Sequence, residues 1–182
     1  EGLFDRSVPV SINRELLNPD YDAILSIGQV IPHEIAGMAN YTKNIVVGCG
    51  GGEMINVSHF LGVFYGLERL LGTDRNPVRN LFDYVQEHLM ADLPLIFVQT
   101  VMEQIDGQDC YKGVFVGEGR KPYEEAAALS RRVNFNVVER PIHKCVVWMD
   151  PNSYHSTWVT NKAIYRTELA VEQGGELSLI HI

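Results

Sequence analysis

The sequence reads as an α/β protein on three observations. β-type runs alternate with runs of helical period, and one stretch, around Asp106-Gly107, carries a tight hairpin signal. The chain has 182 residues, 46 % hydrophobic and 21 % charged, enough for one good core or one domain plus part of another. The expected architecture is two α/β domains with a cleft between them, both incomplete here. Residues 1–138 belong to the first, which contains the antiparallel hairpin. Residues 139–182 begin the second, near Glu139-Arg140-Pro141, where a new strand–helix unit starts.

Residues 8–12 (VPVSI) and 22–28 (DAILSIG) have strand character, the latter bounded by NPDY and a glycine. His33 then falls in the loop leaving the second strand, where open α/β sheets usually place ligands. In MINVSHFLGVFYGLERLLG, Val57, Phe60, Leu61, Phe64, Leu67 and Leu71 form a helical stripe, with Asn56, His59 and Val63 beside it. A further helix begins at Asn76, a good N-cap, with Pro77 at its first position and Val78, Leu81, Phe82, Val85 and Leu89 as its stripe. LPLIFVQTVMEQIDGQDCYKGVFVGE reads as the hairpin. The helix from 121 to about 132 starts with Pro122, Glu124 and Glu125 and ends with Arg131 and Arg132, matching the helix dipole. HKCVVWMDP reads as a buried strand, STWVTNKAIYRTELAVEQGG as a helix with a glycine stop, and ELSLI as the start of the next strand. There is no internal repeat and no low-complexity tract.

A net charge of −8 with no basic stripe argues against nucleic acid, though not against a small anionic ligand. Cys49, Cys110 and Cys145 are odd in number, widely spaced and form no CxxC, which points to a reducing cytoplasm. No signal peptide is visible, and no apolar run reaches the roughly 18 residues of a membrane span. EGLFDRSVPV lacks an initiator Met, and GGELSLIHI stops inside an apolar run. The chain therefore reads as a piece cut at both ends, and LSLIHI resembles translated sequencing-adapter sequence.

The passage GQVIPHEIAGMANYTKNIVVG carries His33 and, ten residues on, Lys43; His59 follows sixteen residues later. A loop histidine suits acid/base work because its pKa lies near neutrality. A lysine in apolar surroundings can form covalent adducts. A helical histidine near a glycine-rich turn can ligate a metal through one nitrogen. Each residue alone also has an ordinary structural reading. GCGGGE before a helix start is either an anion cradle or a tight turn; no GK[ST] follows, so it is not a P-loop. Cys49 within it has no sequence-local activating partner.

Together, Gly28, Ile31, Pro32, His33, Ala36, Gly37, Lys43, Ile45 and Gly48 align without a gap to a segment of the nickel-pincer-dependent lactate racemase family, G-x-I-x-P-H-x-x-A-G-F-S-G-G-x-K-x-I-x-P-G. His59 falls on that family's helical histidine. VPVSINRELLNPDYDAIL upstream and TNKAIYRTELAVEQGGEL downstream resemble two further family segments in the same order. The resemblance implies a racemase or epimerase of a small 2-hydroxy acid, acting by hydride transfer. Lys43 would tether pyridinium-3,5-bisthiocarboxylic acid mononucleotide, whose two sulfurs and ring carbon hold nickel. His59 would complete the nickel coordination, and His33 would be one of two catalytic histidines exchanging the hydroxyl proton. Lys162, in the second domain, would face the substrate. Residues 1–138 would be the C-terminal part of the cofactor-bearing domain.

Three departures point to a divergent branch. The family's S-G-G-x-K is ANYTK here, with Tyr41 at a glycine position, expected to narrow the space beside the cofactor or redirect the loop. The glutamine three residues before the second-domain lysine is Val159. His155 is expected one helical repeat from Lys162, on the same face. The family's other catalytic histidine and its substrate-binding arginine precede the aligned region, so residues 1–182 alone are not expected to be a complete enzyme. The alternative is a non-catalytic small-anion binding module of the same fold.

Overall fold

A strand pair joined by a long crossover organises the first part of the structure, a computed structural model that describes residue 5 and residues 7–180. The chain divides into two units, Glu1–Phe135 and Asn136–Ile182. In the first, a 3₁₀ turn (Arg14–Leu17) is N-capped by the Asn13 side chain and leads into strand β1 (Ile24–Gln29). A two-residue ladder follows, β2 (Pro32–His33) against β3 (Gly37–Met38). A π-helical turn (Asn44–Gly48) precedes helices α1 (Gly52–Tyr65), α2 (Leu67–Leu70) and α3 (Pro77–Leu89). The Asn76 side chain caps α3 by accepting the Arg79 N–H at 2.8 Å.

Strand β4 (Leu95–Ile105) then pairs parallel to β1, from Ile24 opposite Leu95 to Gln29 opposite Thr100. Parallel pairing demands such a crossover, and its helices pack back onto the sheet. Asp106 (φ 50°) and Gly107 (φ 77°) turn the chain into antiparallel strand β5 (Gln108–Gly117), giving the sheet order β1-β4-β5. Helix α4 (Lys121–Asn134) packs on β4 and β5. The core between sheet and helices holds Phe97 and Val101 of β4, Val78, Phe82 and Val85 of α3, and Tyr123, Ala126 and Ala127 of α4, all buried. Each large apolar side chain so buried contributes about 1.5–3 kcal/mol.

In the second unit, β6 (Ile142–Trp148) pairs parallel with β7 (Val171–Ile180), with α5 (Thr157–Thr160) and α6 (Lys162–Thr167) between them. No helix among the described residues is long and apolar enough to cross a membrane.

Several sequence readings are corrected. Residues 8–12 form no strand; Ile12 alone bridges to Gly50. The single helix expected over 54–72 breaks at Gly66, whose φ of 106° no helix accommodates. The expected stripe is buried only in part: Val57 turns inward with Met54, Ser58 and Gly62, and Leu61 and Leu67 pack against the core, but Phe60 and Phe64 of the stripe are 57 % and 53 % exposed, as is Val63 beside it at 65 %. Small residues allow the close approach, since a Cβ on Gly62 would lie 3.1 Å from Ile35 Cγ2. Helix α3 buries Arg79 and Asp83 within its stripe and leaves Leu89 exposed. The last helix stops at Thr167, and VEQGGELSLI is one strand, because β6 claims it as a parallel partner. β6 itself is not buried throughout, since Val146 and Trp148 are exposed. Of LSLIHI, residues 177–180 lie in β7; His181 and Ile182, like residues 1–4 of the N-terminal segment, lie outside the described residues.

Candidate functional site

His33 sits at the head of the β2–β3 ladder, opposite Gly37. Its side chain is 16 % exposed. Its Nδ1 accepts the backbone N–H groups of Ile35 (3.1 Å) and Ala36 (3.3 Å). Two donors on one nitrogen fix the tautomer: the neutral ring carries its proton on Nε2.

The next residues are held in an uncommon conformation. Asn40 (φ 67°) and Tyr41 (φ 58°) are consecutive left-handed residues, and Lys43 follows as the helical cap of the π-turn. Left-handed backbone costs a non-glycine residue about 1–2 kcal/mol. Buried neighbours enforce it. Arg79, fully buried, donates to the carbonyl oxygens of Met38 and Asn40 and to Thr42 Oγ1. The Thr42 hydroxyl donates to Asp83 at 2.6 Å, and Asp83 also receives Arg120. Asn40 donates to the Gly28 carbonyl at the end of β1 and accepts from Asn44. Burial pushes the Asp83 carboxyl up, against the pull of the Thr42 hydroxyl, Arg79 and Arg120. Burial works against the Arg120 charge too, but Asp83 and Glu124 outweigh it and raise its pKa.

Of the two effects expected of Tyr41, the structure bears on the loop: Tyr41 turns it through a left-handed backbone. Its ring enters the core, stacked 4.9 Å from Tyr123 and tilted 4.6 Å from Phe97. Burial pushes both phenols, Tyr41 and Tyr123, up to about 12.

His59 lies in α1, half-buried, with Nδ1 2.7 Å from the Ile55 carbonyl. A carbonyl only accepts, so Nδ1 carries the proton and Nε2 presents a lone pair. Helix α1 packs on both the π-turn and, through Gly62, the His33 turn at Ile35. The structure thus gathers the elements bearing His33, Lys43 and His59 in one unit. Lys162 belongs to the second unit, half-buried at the first turn of α6 after Asn161. His155 is exposed and precedes α5, which is a separate helix from α6, so the expected same-helix pairing with Lys162 is absent. The GCGGGE turn packs closely: Gly50 bridges to Ile12, and the Gly51 N–H donates to the Ser11 carbonyl. That favours the tight-turn reading over the anion cradle.

Sequence reasoning missed the support, namely Arg79, Asp83, Arg120, Asn40 and Asn44. One signal was present. Arg79 and Asp83, four apart, interrupt the apolar run of α3 on its buried side. Among the described residues, no group of three or more His, Cys, Asp or Glu is placed to hold a metal ion. A cavity of about 440 Å³ lies beside Tyr41, Gln86 and Arg120, and one of about 330 Å³ beside Ser11 and Cys49; His33, Lys43 and His59 line neither.

No protein family and no curated protein matches the chain by sequence. Its structure does match solved ones. The crystal structure of a protein from Thermotoga maritima is 25 % identical, with a TM-score of 0.84 over 93 % of this chain and 42 % of that one. The lactate racemase apoprotein from Thermoanaerobacterium thermosaccharolyticum is 19 % identical, with a TM-score of 0.69 over 93 % of this chain and 39 % of that one. The protein has a mixed α/β fold of the lactate racemase type, and it spans about two fifths of the length of these structures.

Proposed function

We propose that the protein is part of a racemase or epimerase of a 2-hydroxy acid, with residues 1–138 in its cofactor-bearing domain. One observation carries this reading. In a lactate racemase-like fold, the strained segment ending at Lys43 packs with the His33 turn and the His59 helix.

The residues fit a lysine-tethered nickel-pincer nucleotide. Lys43 would be the tether. His59 Nε2 is the nitrogen for nickel, since Nδ1 is committed to Ile55. No wider protein ligand cluster is required, because the pincer itself supplies the remaining donors. Bound there, the group supplies a hydride acceptor for the C2 hydrogen of the substrate. His33 would meet the substrate hydroxyl through Nε2, since Nδ1 is occupied by two backbone donors. For Nε2 to take up the hydroxyl proton, the ring must first adopt the other neutral tautomer, losing the Nε2 proton to water and gaining one from water at Nδ1, which requires release of the Ile35 and Ala36 N–H bonds. Lys162 would pair with the substrate carboxylate.

The test uses full-length protein co-expressed with pincer-biosynthesis enzymes. The Lys43 peptide is expected to carry a covalent mass adduct and nickel to co-purify. Lys43→Ala removes the adduct; His59→Ala keeps it and loses nickel. His33→Ala leaves both and cuts turnover about 10²–10⁴-fold. An unmodified Lys43 under these conditions would replace the enzyme by a non-catalytic small-anion binding module.

A further inference from the structure

The cavity of about 440 Å³ beside Tyr41 lies where β4 begins, between the end of α3 and the residues that lead into α4. His33 follows the opposite end of the parallel pair, since Ile24 of β1 aligns with Leu95. The volume suits a small molecule, and Met90 and Leu95 give the cavity an apolar wall. Tyr41 also lines it and is 5 % exposed, yet its hydroxyl makes no hydrogen bond among the described residues. The phenol feels the charges of Arg120 and Glu87, two further lining residues, so its oxygen end is the end at the cavity. Gln86 lines the cavity as well, and its buried amide oxygen has no partner. Buried polar atoms are seldom left unpaired, so both groups call for one.

Charge selects the partner. Glu87 and Glu118 place two carboxylates on the lining. Arg120, the one lysine or arginine on it among the described residues, is engaged by Asp83, Glu124 and the Asp74 carbonyl. The carboxyl end of α3, which favours cations, lies beside the cavity through Gln86, Glu87 and Met90. Helix α4 begins there too, but Glu124 in its first turn already answers that helix end.

We propose that this cavity binds an organic ammonium ion with an apolar body. The ammonium donates to the Tyr41 oxygen, the Gln86 amide oxygen and the Glu87 carboxylate, and the body covers Met90 and Leu95. An ammonium brings three donors and no acceptor, which matches a lining whose unpaired groups can all accept.

The experiment titrates phenethylamine, and 3-phenylpropionate as its anionic counterpart, into the full-length polypeptide by calorimetry. The amine is expected to bind saturably with a Kd below about 1 mM, at least about tenfold more tightly than the carboxylate. Tyr41→Phe keeps the ring stacked on Tyr123 and removes the oxygen. It is expected to weaken the amine about tenfold, the worth of one hydrogen bond to a charged group. Glu87→Gln, at an exposed position, should weaken it as well and guards against a packing defect at residue 41. The Tyr123 hydroxyl is also buried and unpartnered but does not line the cavity, so Tyr123→Phe should leave the affinity unchanged. No binding of the amine, equal binding of the carboxylate, or parent affinity in both Tyr41→Phe and Glu87→Gln overturns the proposal. So does an equal loss in Tyr123→Phe and Tyr41→Phe, which would trace the effect to ring packing.

Discussion

Gly37, Asn40 and Tyr41 of the first unit and Gly174 in β7 use the same left-handed backbone in opposite surroundings. Gly37 (φ 79°) is packed so tightly that an added Cβ would lie 2.0 Å from the Thr73 carbonyl oxygen. Gly174 (φ 80°) would meet nothing within 4 Å. Near Gly37 the conformation recurs at Asn40 and Tyr41, which pay a steric cost that glycine avoids, and Arg79 holds the Met38 and Asn40 carbonyls from a fully buried position. Strain persists where the surroundings over-determine it, and such places concentrate at functional sites. The contrast marks the approach to Lys43 as a segment held in place by buried neighbours.

The most severe way to break that contrast is Arg79→Ala. The substitution strands the carbonyls of Met38 and Asn40 and removes a cation whose charge favours ionised Asp83. A loss of about 3–5 kcal/mol is expected by urea unfolding, the range for breaking a buried charged network. Arg79→Lys should recover part of it, because one ammonium cannot reach all three acceptors. A loss below 1 kcal/mol would mean the left-handed pair is stable without its clamp.

Alkaline pH tests the same region through its aromatic floor. Tyr41 and Tyr123 are held at about 12, against 10 in the unfolded chain, by burial first. Their folded pKa values are raised, so the native state keeps protons that the unfolded state releases. The stabilisation is complete below pH 10 and is lost as pH rises from 10 to 12. Two pH units correspond to at most about 3 kcal/mol for each group. Tm is expected to fall steeply across that window, with phenolate absorbance rising in the same transition. Tyr123→Phe should flatten the fall. A Tm that holds steady to pH 11.5 would show that water reaches these rings.

The residues that act through local chemistry were legible in the sequence. Asn76 and Pro77 announced α3, Asp106-Gly107 announced the hairpin, and Glu124 with Arg131 marked the two ends of α4. His33, Lys43 and His59 lie on elements of one unit that pack together. What depended on distant partners was not legible. Arg79 looks like a surface residue in sequence and is buried because residues 38–42 bring acceptors to it. VEQGG looks like a helix end and is strand because β6 lies beside it. The outward turn of Phe60 and Phe64 follows from Gly62 meeting Ile35, a contact between elements 27 positions apart in the chain.

The smallest expected effect sharpens the opening comparison most directly, because it changes one atom type at matched backbone angles. Alanine at position 174 meets open space, so it carries only the left-handed penalty, about 1 kcal/mol. Alanine at position 37 carries that penalty and a collision with the Thr73 oxygen and the Asn76 side chain, the latter at 2.5 Å. The backbone must shift, and overpacking of this kind adds about 1–3 kcal/mol. Asn76 also caps α3 and donates to the Ala36 carbonyl, so its displacement loosens the helix that carries Arg79. Gly37→Ala should therefore cost at least about 1 kcal/mol more than Gly174→Ala in chemical denaturation. It should also increase amide exchange at residues 38–43, whereas Gly174→Ala leaves those amides unchanged. Equal costs for the two substitutions would show that residues 37–43 are no more constrained than Gly174 in β7.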